Sequence, residues 1–138
     1  MKPTISLIVP CYQRPLRTIR ALNSVIQQKF DNWEAIFIGD KCPEFQKFID
    51  NGVFQNYKDS EEFNGYTLIF ENLNQHYGGW GSMCRKVGID MANGKYISFL
   101  DNDDILLPSH FSNYTSFMDN NPRIDFAYFN ARTEPWKR

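Results

Sequence analysis

Apolar positions along this chain follow two alternating periods. Residues 5–9 are short, apolar and β-branched, and Pro10 stops them, the pattern of a strand buried on both faces. Pro15 suits the first turn of a helix. Leu16, Ile19, Leu22 and Ile26 then follow at helical spacing, with Arg17, Arg20, Gln27 and Lys29 on the other side. The alternation repeats. Residues 33–38 read as a second strand that ends at Gly39-Asp40, and Pro43 opens a short helix carrying Phe45, Phe48 and Ile49 that closes near Asn51-Gly52. Residues 53–65 show no clear period and read as an irregular connection. Residues 66–70 form a third predicted strand, followed by the turn Gly78-Gly79-Trp80-Gly81 and a helix over about 82–92. Met83, Val87 and Met91 make its stripe, and Asn93-Gly94 is its stop signal. Residues 96–100 are a fourth strand. Pro108 begins another helix, with Phe111, Tyr114 and Met118 along one face and Asn120-Asn121-Pro122 at its end. Residues 125–129 read as a fifth strand, and residues 133–138 carry no closing element.

Strands alternating with helices imply an α/β domain: a mostly parallel sheet, Rossmann-like, with helices on both faces and right-handed crossovers. Ligands of such sheets bind beyond the carboxyl ends of the strands, where strand order reverses. That rule turns scattered residues into one expectation. Tyr12 and Arg14 follow strand one, Asp40 strand two, the glycines strand three, and Asp101 and Asp103 strand four. All should lie on one edge of the sheet. No internal repeat or low-complexity linker interrupts the chain, so residues 1–138 are expected to form a single domain.

Composition agrees with a packed core. The 138 residues are 42% hydrophobic and 16% aromatic, which excludes a disordered chain. A formal net charge of −1 argues against nucleic-acid binding, which needs a basic footprint. Leu7-Ile8-Val9 is too short to span a bilayer, and nothing at the N-terminus resembles a signal peptide. The three cysteines, Cys11, Cys42 and Cys84, are odd in number and lack CxxC spacing. They fit free thiols in a reducing compartment rather than a zinc site. The expected location is cytoplasmic, or peripheral at an inner membrane.

The chemistry concentrates after the fourth strand. Leu100 is followed by Asp101-Asn102-Asp103-Asp104, three carboxylates within four residues. Packed together they repel and lose hydration, unless they share a divalent cation. Mg2+ or Mn2+ prefers such oxygen ligands and completes its shell with substrate phosphates. The plain alternative is a solvated loop with a helix cap. Asp40, after the flexible Gly39, can accept hydrogen bonds from a base or ribose, or can cap the next helix. Tyr12 offers a face for a nucleobase, or is an aromatic at the sheet edge. Arg14 and Arg85 could neutralise a diphosphate. Arg85 lies in the first turn of a helix, near backbone N–H groups suited to anions. His76 could donate to a phosphate or be a surface-loop histidine. The glycine-rich turn is neither GxGxxG nor a P-loop. An EF-hand is excluded, because counting from Asp101 puts Leu106 and Ser112 where the calcium loop needs Gly and Glu. No nucleophile elbow or triad is present.

These residues resemble a known family. Ile5-Ser-Leu-Ile-Val-Pro-Cys-Tyr-Gln-Arg14 is similar to the opening of family 2 glycosyltransferases, where a strand leads into Pro-x-Tyr-Asn-Arg. Trp33-Glu-Ala-Ile-Phe-Ile-Gly-Asp40 resembles their second strand, which ends Asp-Asp-Gly-Ser. Gly81-Ser-Met-Cys-Arg-Lys-Val-Gly-Ile89 resembles their Ala-Arg-Asn-x-Gly helix, and Gly94-Lys-Tyr-Ile-Ser-Phe-Leu-Asp-Asn-Asp-Asp104 their Gly-x-Tyr-Ile-x-Phe-Leu-Asp-x-Asp-Asp. The four motifs stand in the family's order and cover nearly the whole chain. The resemblance implies the glycosyltransferase-A (GT-A) fold, a nucleotide-sugar donor of UDP or GDP type, and Mn2+ or Mg2+. Pro10, Tyr12, Arg14, Asp40, Arg85, Asp101 and Asn102 would form the donor site. Within it Tyr12 would stack on the base, Asp40 would bond it and Arg85 would lie near the diphosphate. Asp103 would ligate the metal directly, Asp101 would hold the ribose or assist the metal, and Asp104 would act from behind them. The metal would stabilise the leaving nucleoside diphosphate while an acceptor hydroxyl attacks with inversion. The acceptor, whether saccharide, lipid or protein, is not specified. The chain departs from the pattern at Gly39, at Gln13 and at Lys41-Cys42-Pro43-Glu44. Family catalytic domains continue well past 138 residues, into the part that carries most of the acceptor site and the catalytic base. No residue here is assigned as that base. The expectation is the donor-binding part of a polysaccharide-type glycosyltransferase, truncated on its acceptor side. Its alternatives are a nucleotide-sugar binding module without turnover, an inactive fragment, or an interaction domain that keeps the fold.

Overall fold

The structure, a computed structural model, describes residues 2–60 and 67–133. Its sheet has four parallel strands in the order β3-β2-β1-β4: β1 (Ile5–Cys11), β2 (Trp33–Gly39), β3 (Thr67–Asn72) and β4 (Tyr96–Phe99). The helices are α1 (Pro15–Ile26), α2 (Pro43–Asp50), α3 (Val53–Lys58), α4 (Ser82–Met91) and α5 (His110–Asn120). β1 and β2 are buried along their whole length, as two-sided cover by helices requires.

The two-residue period of the strands splits the core. Leu7, Val9, Ala35 and Phe37 pack with residues of α1, α2, α3 and α5 on one face. Ile36 and Ile38 pack with Cys84, Val87 and Met91 of α4 on the other. α4 comes close enough that a Cβ on Gly88 would sit 2.5 Å from Ile8 Cγ2. At the opposite end of the strands, buried Glu34 accepts hydrogen bonds from Ser6 Oγ at 2.5 Å and from the Asn93 N–H at 2.6 Å. These bonds tie the α4–β4 turn to the centre of the sheet.

Several expectations need correction. Pro10 does not stop β1, which continues to Cys11 opposite Gly39. The Leu100 N–H donates to Ile8 O, so the two-residue period turns Pro10 toward β4 as well. The β4 ladder ends at the Ile8–Phe99 pair, so the missing proline N–H breaks no bond there. The buried face of α1 is Thr18, Ala21, Leu22 and Val25, about one residue round from the expected stripe, and Leu16 is 82% exposed. Residues 53–58 are helical where an irregular connection was expected. Phe54 anchors that turn by stacking on Phe70 at 3.9 Å and packing against Phe45 and Phe48. Tyr66, expected to open β3, lies outside the described residues, as do 61–65 and 134–138. The fifth strand over 125–129 is absent among the described residues, because no neighbouring strand pairs with it. Its alternation survives, with Phe126 and Tyr128 exposed and Phe129 lying against His110, Tyr114 and Phe117 of α5. β4 is an edge strand, with Ile97 and Phe99 partly exposed.

The Gly88–Ile8 contact yields a stability prediction. Gly88→Ala should destabilise the fold by about 1–3 kcal/mol, the range for overpacking a close helix–sheet contact. Urea unfolding measures it, and an unchanged midpoint would contradict the packing described.

Candidate functional site

Because all four strands are parallel, their carboxyl ends share one rim. Strand order reverses between β1 and β4, which puts the loop after β1 and the loop after β4 on either side of the crevice where such sheets bind ligands. The first loop carries Tyr12, Gln13 and Arg14. Gln13 and Arg14 have φ of 58° and 53°, a left-handed conformation that costs a non-glycine residue about 1 kcal/mol or more. Three contacts hold it. The Gln13 N–H donates to Cys42 Sγ at 3.2 Å, Asn102 Nδ2 donates to Gln13 O at 3.2 Å, and the Thr18 N–H closes the first turn of α1 on Arg14 O at 3.0 Å.

So fixed, Arg14 reaches across the crevice and pairs with Asp103, with Arg17 of α1 3.8 Å from the same carboxylate. On the other side Arg85, in the first turn of α4, donates to Asp101 Oδ1 and to Trp80 O, both at 2.6 Å. Each of these two aspartates therefore carries an arginine. Ligand oxygens of Asp101, Asp103 and Asp104 lie within 4.8 Å of one another. Burial, then the charges of Asp103 and Asp101, push the Asp104 carboxyl above its ordinary range. An all-carboxylate set fits a hard, oxygen-seeking dication such as Mg2+ or Mn2+ and does not fit a thiophilic one. Asn102, between the acids, turns inward: its amide is buried and bonds Gln13 O and Thr18 Oγ1.

Asp40 is buried at 3% exposure and both of its carboxylate oxygens are engaged. Oδ1 accepts the Tyr77 N–H and Oδ2 the Gly78 N–H, each at 2.8 Å, and His76 Nδ1 stands 3.0 Å from Oδ2. Two successive N–H groups around one carboxylate form an anion nest, so Asp40 holds the glycine-rich turn down on the rim. The His76 ring lies against Tyr12 with centroids 4.7 Å apart. Tyr12 is 44% exposed, so its ring is open to a flat ligand over part of its surface. Pro10 lies under the turn, where a Cβ on Gly81 would meet Pro10 Cβ at 2.8 Å. Trp80 at the tip is 96% exposed.

The structure thus brings Tyr12, Arg14, Arg85, Asp101 and Asp103 to one crevice and places Asp40 beside it. Pro10 and Asn102 lie beneath, as supports. Sequence reading missed three participants. Arg17 stands one helical turn after Arg14, a spacing that could have marked it. Cys42 and Asn72 left no local signal. The Asn72 side chain grips the Cys42 backbone from both sides, accepting its N–H at 3.0 Å and donating to its carbonyl at 3.2 Å. The three thiols are free and buried. Burial, with the charge of Asp40 adding, pushes Cys84 up to about 12, and burial raises Cys11 and Cys42 as well.

Known proteins share this fold. The sequence profile described as Glycosyl transferase family 2 matches residues 6–137. An uncharacterized glycosyltransferase of Haemophilus influenzae is 29% identical over 130 residues, covering 94% of this chain and 40% of that protein. The crystal structure of S. aureus TarS 1-349 superposes with a TM-score of 0.72 at 25% identity, over 88% of this chain and 33% of that one. The mannosyltransferase PcManGT from Pyrobaculum calidifontis, solved with GDP-Man and Mn2+, gives a TM-score of 0.62 at 15% identity, over 85% of this chain and 32% of that one. Its likeness is one of fold. The chain thus spans 32–40% of the length of these proteins.

The Asp40 nest carries its own test. In Asp40→Asn an amide nitrogen replaces one acceptor and faces a backbone donor. Hydrogen bonds to a charged group contribute roughly 1.5–3 kcal/mol, so amide exchange at Tyr77 and Gly78 should speed up about ten- to a hundred-fold. Exchange at wild-type rates would show that Asp40 does not hold the turn.

Proposed function

Because this chain belongs to glycosyl transferase family 2, we propose that it binds a nucleotide-diphosphate sugar at the strand rim and serves the transfer of that sugar to an acceptor hydroxyl. The observation that carries the reading is the crevice at the β1–β4 switch point. There Tyr12, two arginines and two carboxylates converge from separate segments of the sequence. The proposed domain is one unit, residues 1–138, that supplies the donor side.

The roles follow from chemistry. Tyr12 stacks on the base. Asp40, expected from the sequence to bond the base, is buried with both oxygens engaged by the Tyr77 and Gly78 N–H groups, and instead holds the turn beside it. Arg14 and Arg85 offer guanidinium groups to the diphosphate, which they match in geometry as well as charge. Asp103, with Asp101, would hold Mn2+ or Mg2+, which would supply positive charge opposite the departing nucleoside diphosphate. The acceptor oxygen forms its bond to the anomeric carbon as the sugar–phosphate bond breaks. The electron pair leaves on the diphosphate and the hydroxyl proton passes to a base that none of these residues supplies. One displacement inverts the centre. The donor is of the UDP or GDP type; the solved relatives hold UDP-GlcNAc in TarS and GDP-Man in PcManGT. A second reading is a donor-binding module with no turnover of its own, since none of the residues gathered at the crevice is assigned as the base.

Calorimetry with UDP- and GDP-sugars, with and without Mn2+, tests the proposal. One nucleotide class should bind in Mn2+, and Asp103→Ala should weaken it at least ten-fold, about 1.4 kcal/mol. Sugar transfer or donor hydrolysis by the same sample selects the enzyme over the module. No binding of any nucleotide, with or without Mn2+, would overturn both.

A further inference from the structure

Resting on the donor-site reading above, we infer that Arg14 and Arg85 are exchangeable counter-ions that make cation and diphosphate binding depend on one another. The acids that would meet a cation are already engaged by protein groups. Arg14 pairs with Asp103, with Arg17 nearby, and Arg85 joins Asp101 to Trp80 O. Three guanidinium groups thus stand against Asp103 and Asp101, while Asp104 completes the acidic cluster without a recorded arginine partner.

Each ligand alone upsets that pairing. A dication arriving by itself must compete with the arginines for the same oxygens and leaves their charge uncompensated. A diphosphate arriving by itself places anionic oxygens beside three carboxylates. When both arrive, the partners can be exchanged. The arginines turn to phosphate oxygens, which accept paired N–H donors as well as a carboxylate does, and the carboxylates are released to the cation. The coupling is reciprocal by linkage: whatever factor the diphosphate lends to cation affinity, the cation lends to diphosphate affinity. The short arginine side of the exchange is built into the backbone, since Arg14 is aimed by its left-handed conformation and Arg85 by the N-terminal turn of α4.

The test is the sign of two effects. Mn2+ binding is read by electron paramagnetic resonance, and UDP and GDP binding by calorimetry, in wild type, Arg14→Ala, Arg85→Ala and Arg85→Gln. Lys86→Ala serves as control. It removes the same charge one residue further along α4, where Lys86 pairs with Asp90. Removing either arginine should tighten Mn2+ alone about three-fold or more, because a competitor is gone. It should weaken nucleotide in saturating Mn2+ about ten-fold, because a phosphate partner is gone. Arg85→Gln, which keeps a donor toward Trp80 O, should behave like Arg85→Ala. If the arginine variants weaken Mn2+, or change it no more than Lys86→Ala does, the exchange is wrong while the donor site stands. If wild type binds neither nucleotide nor Mn2+, the donor-site reading falls and takes the exchange with it.

Discussion

A chain of hydrogen bonds along the strand ends holds the rim together. The Asn72 amide, at the end of β3, grips the Cys42 peptide after β2; Cys42 Sγ accepts the Gln13 N–H after β1; and Gln13 O accepts from the Asn102 amide after β4. The chain crosses the whole sheet in the order of its strands. It is needed because the loops it joins are held in unfavourable shapes. Gln13, Arg14 and Lys41 all have positive φ, and non-glycine residues stay there only where surrounding contacts over-determine them. Buried donors and acceptors that lost their partners would add a penalty of about 1–3 kcal/mol each. The rim is therefore rigid where its residues must be aimed, and its one glycine-rich turn is fastened separately, by Asp40.

Beneath the rim, the sheet supplies a fixed rail. β1 and β2 carry no exposed residue, so a one-residue slip would bring the wrong side chains to both faces. Glu34 with Ser6 and Asn93 locks one end of that rail, and Gly88 on Ile8 sets its distance from α4. Register at the core fixes where Cys11, Gly39 and Leu100 end, and hence where the charged loops begin. Packing energy far from the crevice becomes positional accuracy within it.

How much of this the sequence disclosed follows from the range of each interaction. The buried strands, α4, α5 and the carboxylate run are local patterns, and periodicity or composition exposed them. So did their common edge, which parallel topology imposes. The errors arose where a non-local partner decides. Pro10 stays in β1 because β4 stops short beside it. Residues 53–58 become helical because Phe54 meets Phe70. Residues 125–129 form no strand because nothing pairs with them. The ties of the site are the same in kind. Cys42 lies 29 residues from Gln13 and Asn102 lies 89 from it, so neither has any signature in its neighbourhood. Asp40 was expected at the rim and stands there. Its grip on the Tyr77 and Gly78 N–H groups depends on a turn 37 and 38 residues away, which no window around Asp40 could contain.

The spacing of the acids now has a physical reason. Along β4, Ile97 and Phe99 share the face covered elsewhere by α4, while Tyr96 packs on Tyr114 of α5 on the other face. Asp101 continues the α4 side and meets Arg85 of α4. The chain then turns, with the Asp104 N–H bonded to Asp101 O, and that turn delivers Asp103 to Arg14 and Arg17 at the start of α1. Asn102, between them, points down to Gln13 and Thr18. Two carboxylates separated by one residue are thus divided between two helices, each with its own arginine, while the residue between them anchors the loop. With adjacent acids, one carboxylate would be driven into the buried place that the neutral Asn102 amide fills, where a charge without a cation beside it is costly. With wider spacing, the loop would lose the turn that brings both acids within reach of one ligand. The pattern Asp-x-Asp is the arrangement that keeps both charges at the crevice and the neutral side chain in the protein.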